Sequence, residues 1–270
     1  MAITAQEIEA LMPDCTQLLS DEPEMESSLH YTQLLILVTC LEWLWRDRED
    51  FFIGANLTIY YSRQQLKNRE FRGPDFFLVK DTEKRPRTSW VVWEENGNYP
   101  NLIIELLSES TAKVDRGLKK QLYQNQFRTP EYFWFSPNTL ELTGFRLVGS
   151  EYQDVTPTEQ GWLWSQELGL YLGIFDGKLR YFHWDGQLVP TPEEAVLEEV
   201  QKAEAEYQRA ETERQKAETE RQKAETERQK AETERQKAET ERQRADEAQR
   251  RAIILAQRLR ELGIEPDNLV

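Results

Sequence analysis

Two acidic side chains of this chain lie in apolar segments, where a carboxylate is costly to bury. Glu105 lies within the run NLIIELLS, and Asp75 stands at the start of the apolar run in GPDFFLVK. Asp and Glu are rarely buried without a partner, because an ionised carboxylate loses its hydration there. One divalent cation can compensate two acids on neighbouring strands. The pair therefore predicts a metal-dependent site with Asp75 and Glu105 as ligands.

Each acid also has a purely structural alternative. Asp75 follows Pro74 and can begin a strand or cap a turn. Glu105 can pair with a buried Arg or Lys instead of a metal ion.

The apolar pattern before and around these acids predicts an α/β domain. Helical spacing of apolar residues runs from Leu29 to about Trp45. Strands are expected at 51–53, 56–61, 75–79 and 90–93. The nearly continuous apolar run 101–107 is typical of a strand that is covered on both faces.

A helix–strand unit follows the strand that carries Glu105. The hydroxyls of SEST (108–111) suit a helix N-cap. The helix is expected to reach about Phe127 with an apolar stripe formed by Val114, Leu118 and Leu122. The aromatic run EYFWFS (131–136) completes a βαβ unit, which predicts that its two strands are parallel. Antiparallel strands with FDGK and WDGQ hairpin turns are expected over 140–189.

Charge and composition narrow the function classes. The net charge is −15, of which residues 1–200 carry −14 and residues 201–270 carry −1. Such an acidic body argues against loose binding to nucleic acid, although a local basic patch is compatible with it. The two cysteines, Cys15 and Cys40, indicate neither a zinc site nor a disulfide framework. No apolar run is long enough to span a bilayer and the start lacks a signal peptide, so we expect a soluble, cytoplasmic protein.

The C-terminal part is a charged repeat. The heptad ETERQKA occurs four times in succession over 211–238 and is followed by the near-copy ETERQRA. No Pro or Gly interrupts 193–262, which predicts one helix of roughly 100 Å. Each heptad has one Ala and no larger aliphatic residue, so a weakly pairing coiled coil and a single solvated helix both remain open. Any self-association is expected from the apolar end, Ile253–Leu262, or from the first domain.

The order of Asp75 and Glu105 on core strands, with a helix after the second, resembles the PD-(D/E)XK nuclease superfamily. Four segments sharpen the resemblance to the family of restriction endonucleases of the Uma type: GPDFFLVK, WVVWEENGNYPNLIIELLSEST, DRGLKKQLYQ and PEYFWFSP. The resemblance covers about residues 29–184, and the closing LRELGIEPD is similar to tails on such proteins. It implies a restriction-endonuclease-like core that binds Mg²⁺ and cleaves phosphodiester bonds.

The same resemblance implies the ligands. Asp75, Glu105 and the backbone carbonyl of Leu106 would hold Mg²⁺, with Mn²⁺ as a substitute. The metal would lower the pKa of a water molecule and neutralise charge on the phosphate. The superfamily pattern also expects a lysine two positions after Glu105, where this chain has Leu107.

A lysine from the following helix could replace the missing one beside the attacking water or the phosphate. Lys119 is our candidate because it shares an i, i+4, i+8 stripe with Asp115 and Tyr123. Its structural alternative is a solvated ion pair with Asp115.

Four further residues are weaker candidates. Lys120 and Lys113 rank after Lys119 as the lysine that would supply the ammonium group. Glu26 and His30, at the start of the first helix, resemble polar residues found near such sites. His30 next to an apolar helix face can equally be a structural histidine.

We therefore predict an α/β fold, a restriction-endonuclease-like mixed sheet with flanking helices, over residues 29–192. A lead-in segment (1–28) precedes it, and a long charged helix (193–263) and a short tail (264–270) follow. The predicted function is Mg²⁺-dependent hydrolysis of DNA phosphodiester bonds, with nucleic acid as partner and no membrane association.

The alternative is a catalytically inactive nuclease fold that acts as a binding or assembly module through its helical tail. Leu107 and the acidic body favour this alternative, and retention of both acids favours the enzyme.

Overall fold

The computed structural model describes residues 18–20, 27–62, 73–108 and 112–263. The chain divides into two units, Met1–Leu197 and Glu198–Val270. The first unit contains a mixed sheet with flanking helices and the second is helical, which confirms the predicted fold class. Glu26 and the predicted tail 264–270 lie outside the described residues.

Eleven strands occur in the described part of the first unit. They are β1 (Phe51–Ala55), β2 (Ile59–Tyr60), β3 (Phe76–Lys80), β4 (Trp90–Val91), β5 (Leu102–Leu106), β6 (Glu131–Phe135), β7 (Leu142–Val148), β8 (Glu151–Asp154), β9 (Leu163–Ser165), β10 (Leu170–Phe175) and β11 (Lys178–Phe182). The strand predicted over 56–61 is wrong in length, since only β2 forms there.

The main sheet has six strands in the order β1-β3-β5-β6-β7-β8. β5 and β6 are parallel, as the βαβ pattern predicted, and the other neighbours are antiparallel. A three-stranded antiparallel sheet, β11-β10-β9, and the parallel pair β2-β4 complete the strands. The predicted FDGK turn joins β10 to β11, where Asp176 and Gly177 both have positive φ.

The helix α1 (Ser28–Leu44) covers one face of the main sheet. Its side chains Leu34, Leu37 and Leu41 join a core cluster with alternate residues of the central strands. Ser27 caps the helix by accepting a hydrogen bond from the backbone N–H of His30. The predicted helix from Leu29 to about Trp45 is thereby confirmed.

The helix over 112–127, here α2, packs on the opposite face and mixes two helical geometries. Ala112–Val114 and Lys120–Leu122 are α-helical, whereas Asp115–Lys119 and Tyr123–Phe127 are π-helical. π-Helical turns are rare and often occur at functional sites. Tyr123 and Phe127 pack into the second core cluster, which consists largely of aromatic residues of the sheet.

The predicted apolar stripe of α2 is wrong. Val114 is 44% exposed and Leu118 is 72% exposed, while Leu122 is only partly buried. The buried stripe is instead the neighbouring one, which contains Asp115 and Tyr123. This stripe faces the sheet because the rings of Tyr123 and Phe127 fill the aromatic cluster. Lys119 and the Tyr123 hydroxyl also contact the buried Glu105 carboxylate there.

A single helix, α3 (Pro192–Glu261), accounts for the repeats. Thr191 and Glu194 form a capping box at its start, with Thr191 N–H donating to Glu194 and Glu194 N–H donating to the Thr191 hydroxyl. No residue of α3 is buried. Gly263 has φ +77°, as expected of a glycine that ends a helix. Among the described residues, none of the helices has the length and hydropathy that crossing a membrane requires.

Candidate active site

Strand register brings Asp75 and Glu105 to the same place on the sheet. β3 and β5 are antiparallel neighbours in which Phe76 pairs with Ile104. Asp75 immediately precedes Phe76, so the continued register sets it opposite Glu105. Side chains alternate along a strand, and Ile103 and Leu107 on either side of Glu105 both belong to the aromatic cluster beneath α2. Glu105 therefore projects toward α2.

The Glu105 carboxylate is fully buried and is held by three donors. Its Oε1 accepts hydrogen bonds from the Lys119 ammonium at 3.0 Å and from the Tyr123 hydroxyl at 2.7 Å. Its Oε2 lies 3.4 Å from the backbone N–H of Asp75. Oε1 is thus engaged twice from α2, and Oε2 faces the second acid.

Asp75 is anchored to the same strand as Glu105. Its Oδ2 accepts a 2.7 Å hydrogen bond from the backbone N–H of Leu106, and its own backbone N–H donates to Glu105 Oε2. Asp75 is only partly buried. The acid pair is therefore closed on the side of Glu105 and reachable on the side of Asp75.

Lys119 lies between two acids. Its Nζ is 3.0 Å from Glu105 Oε1 and 3.0 Å from Asp115 Oδ1. Its side chain is 14% exposed, and Asp115 is almost completely buried. The backbone carbonyl of Asp115 accepts a hydrogen bond from Tyr132 at 3.0 Å, which ties the π-helical turn to β6. Lys119 of α2 thus brings an ammonium group to the acid pair, whereas the position two after Glu105 is Leu107.

Burial raises the pKa values of both acids of the site, and the nearby Lys119 charge opposes the rise. Burial raises the pKa of Glu105 to about 7, and the neighbouring Asp75 charge adds to this rise while Lys119 opposes it. Burial also raises the pKa of Asp75 above its usual range, again opposed by Lys119. Burial alone would lower the pKa of Lys119, but the attraction of Glu105, Asp115 and Asp75 raises it above its ordinary value. Lys119 therefore stays protonated, and Glu105 exchanges a proton near neutral pH.

The other sequence candidates are placed elsewhere. Lys113 is exposed, and the Lys120 ammonium lies 3.3 Å from the ring centroid of Phe145. His30 is buried at the start of α1, where its Nδ1 hydrogen-bonds the Ser27 hydroxyl at 2.8 Å. No contact recorded for the described residues joins any of the three to the acid pair.

Tyr123 is a residue of the site to which the sequence assigns no role. It shares a helical stripe with Asp115 and Lys119, and its hydroxyl completes the support of Glu105. The i, i+4 spacing from Lys119 was the signal that could have assigned it, because residues four apart on a helix reach the same point.

The donor set fits a magnesium-type cation. Carboxylate oxygens are hard ligands, and Mg²⁺ commonly binds through one or two carboxylates while it keeps several waters. The part of the chain that the structure describes has no group of three or more His, Cys, Asp or Glu side chains arranged to hold a metal. Asp75 and Glu105 could supply two side-chain oxygens to such a cation, and the backbone carbonyl of Leu106 a third.

Comparison with known proteins places the chain in a family. The family model Uma2, described as a putative restriction endonuclease, matches residues 18–176, and the chain belongs to this family. Comparison with curated proteins finds no significant match.

The chain is also similar to a crystal structure of a putative nuclease belonging to DUF820 from Anabaena variabilis ATCC 29413. The two share 13% sequence identity with a TM-score of 0.43 over 58% of this chain and 83% of that one. Family membership supports a nuclease-like function.

Proposed function

We propose that this member of the Uma2 family hydrolyses phosphodiester bonds of DNA with Mg²⁺ as its cofactor. Asp75, Glu105 and the Leu106 carbonyl would bind Mg²⁺. The protonated ammonium group of Lys119 would be the catalytic group of the protein that carries positive charge. The proposal rests on one observation, which is the charge imbalance of the buried site.

Three carboxyl groups surround one ammonium group. Lys119 contacts Glu105 and Asp115 directly, and Asp75 adjoins Glu105. With all groups ionised, this set carries a net charge of −2, which is costly in a buried setting. A divalent cation offsets this charge, whereas a purely structural Glu–Lys pair would need neither Asp75 nor Asp115.

Asp75, Glu105 and Lys119 would have different roles, which follow from their charges. A bound Mg²⁺ supplies neutralisation of phosphate charge and a lower pKa for a water molecule. Glu105 and Asp75 would fix the position of the cation. Asp75 lies on the accessible side of the acid pair, where a phosphate can approach. Lys119 keeps its proton, so it stabilises negative charge that develops on the phosphate oxygens and does not act as a base.

Tyr123 and Lys119 both hold Glu105 Oε1. This leaves Oε2, which lies beside Asp75, as the oxygen of Glu105 that would bind the cation. Orientation of a metal ligand by a neighbouring hydrogen-bond donor, as Tyr123 orients Glu105, commonly affects metal affinity and activity by about 10–100-fold.

Cleavage assays on the full chain test the proposal. We expect duplex DNA and a small phosphodiester such as bis(4-nitrophenyl) phosphate to be hydrolysed with Mg²⁺ or Mn²⁺, and not with chelator. Glu105→Gln should abolish both activities, while Lys178→Ala, which changes a lysine on β11, should retain them. A wild-type chain inert toward both substrates, or a fully active Glu105→Gln variant, would overturn the proposal. Cleavage of RNA but not DNA would overturn the choice of substrate.

A further inference from the structure

Trp134 lies beside the acid pair on the next strand. In the parallel ladder of β5 and β6, Trp134 is the registered partner of Glu105. Registered partners direct their side chains to the same face, and neighbouring strands are about 4.8 Å apart. Trp134 also belongs to the cluster beneath α2 and is only 8% exposed. The indole therefore extends the face that carries Glu105.

The indole N–H of Trp134 is a donor without an acceptor. Its Nε1 is buried and makes no hydrogen bond to any group in the residues that the structure describes. Buried donors are nearly always paired, so each exception calls for an explanation. An acceptor supplied by a ligand would satisfy this group.

Two cations of α2 pack on the same ring. The Arg116 guanidinium lies 5.8 Å and the Lys120 ammonium 5.6 Å from the Trp134 ring centroid, and Lys120 also lies 3.3 Å from the neighbouring Phe145 ring. Lys120 forms no ion pair within the described ranges. Arg116 pairs with Glu141 at 2.6 Å, but both side chains are nearly half exposed, so this pair is easily exchanged. Within a strongly acidic domain, an unpaired cation and a loosely paired one converge on one ring.

The ligand class follows from these two observations together. A neutral acceptor would satisfy the indole N–H but would not use the two cations. A phosphate offers an acceptor oxygen to the indole and negative charge to Arg116 and Lys120. We infer that Trp134, Arg116 and Lys120 form a phosphate subsite, which binds a backbone phosphate of the nucleic acid next to the one that is cleaved. The inference rests on the proposed function, because it names how that same site would hold its substrate.

Equilibrium binding tests the subsite separately from catalysis. The full chain carrying Glu105→Gln, which prevents cleavage, is titrated in chelator against a fluorescent DNA duplex over a series of NaCl concentrations. Trp134→Phe and Lys120→Gln are then added singly to this background. Matched controls are Trp184→Phe, at a tryptophan that is 79% exposed, and Lys202→Gln, which changes the net charge equally.

The two variants should differ in their salt dependence. Trp134→Phe should raise Kd about tenfold without changing the slope of log K against log[NaCl], because a neutral hydrogen bond is lost. Lys120→Gln should raise Kd and make the slope shallower by about 0.9, the value for one phosphate contact. Lys120→Arg should restore the slope. Melting curves of each variant identify any that fails to fold: if Trp134→Phe unfolds, the slopes of Lys120→Gln and Lys120→Arg carry the test, and if Lys120→Gln unfolds, the Kd of Trp134→Phe carries it.

The subsite is overturned if Trp134→Phe and Lys120→Gln match their controls in Kd and slope, or if the background chain does not bind DNA. Hydrolysis of the small phosphodiester by the chain with Glu105 intact reports on the proposed function alone, because that substrate has no neighbouring phosphate. If the chain hydrolyses the small substrate but the subsite variants bind DNA as their controls do, the subsite is rejected and the proposed function is kept. If DNA binding depends on Trp134 and Lys120 but the chain hydrolyses neither substrate, the proposed function is rejected and the phosphate-binding site is kept.

Discussion

The hydroxyl of Tyr123 donates a 2.7 Å hydrogen bond to Glu105 Oε1, across the interface between α2 and the sheet. Both residues are completely buried. The contact fixes one oxygen of the carboxylate, so that the other is left for the acid pair. It also lowers the pKa of Glu105, against the larger effect of burial.

Tyr123→Phe should therefore weaken metal binding by about 10-fold or more while the fold is retained. The loss of the hydrogen bond should also move the pH at which Glu105 ionises upward, so that cation affinity develops at higher pH than in the wild type. Calorimetric titrations with Mn²⁺ at several pH values measure both effects.

Tyr152→Phe is the matched control, since it removes a hydroxyl that donates to the Thr129 carbonyl away from the acid pair. Equal cation affinities in Tyr123→Phe and Tyr152→Phe would argue against a positioning role for Tyr123.

Lys119→Ala should abolish cleavage and leave cation binding largely intact. The ammonium group contributes charge at the phosphate and is not a ligand, so its removal acts on the transition state more than on the metal. Cleavage rates and Mn²⁺ titrations of the same preparation measure the two effects. Lys113→Ala is the comparison variant, because its exposed side chain does not contact Glu105. Unchanged cleavage in Lys119→Ala, with loss in Lys113→Ala, would move the role to Lys113. Full cleavage in both variants would leave neither lysine with a role in the reaction.

The stability of the metal-free protein should fall as pH rises through neutrality. The pKa of Glu105 is raised from 4.5 to about 7 in the folded chain, so between these values the folded state keeps a proton that the unfolded state has released. Folding is then favoured by the lower pH, and the contribution is lost as pH rises toward 7, by about 3 kcal/mol at most. Urea unfolding in chelator at pH 5 and pH 8 measures the change.

Glu105→Gln supplies the control, because the amide remains neutral at both pH values and this part of the pH dependence should disappear. Added Mg²⁺ should reduce the loss at pH 8 in the wild type, since a cation binds the ionised carboxylates. If wild type and Glu105→Gln show the same pH profile in chelator, Glu105 does not hold the proton.

Deleting 218–238, three whole heptads, should leave oligomeric state and cleavage unchanged while it shortens α3 by about 30 Å. Each repeat contributes one Ala to any pairing surface, and all side chains of these repeats are exposed. Sedimentation of the full chain and of the deletion variant compares the two. Conversion of a stable dimer to a monomer would show that the repeats pair strongly.

The sequence predicted that Asp75 and Glu105 lie on core strands because the features that place each acid are local. Each acid is placed by the apolar residues beside it, and alternation along the strands assigns its face. The antiparallel register that sets them opposite one another depends on long-range pairing, which periodicity does not report. Lys119 could be chosen because its spacing from Asp115 and Tyr123 is helical.

The orientation of α2 was not predictable in the same way. Local hydrophobicity favoured Leu118 as a buried residue, whereas the structure exposes it and buries Asp115. That outcome depends on partners distant in sequence, namely the aromatic cluster of the sheet and the carboxylate of Glu105. The two π-helical turns that shift the phase of the helix have no signature in the residue pattern.

Titration of Mg²⁺ or Mn²⁺ into the wild type and Glu105→Ala by calorimetry tests the central claim most directly. The account predicts saturable binding of one divalent cation per chain in the wild type, with release of protons near pH 7 as Glu105 gives up its proton. It predicts no such binding in Glu105→Ala. Absence of binding in the wild type, or the same binding in Glu105→Ala, would contradict a cation held by Asp75 and Glu105. Either result would favour a nuclease fold that acts without catalysis.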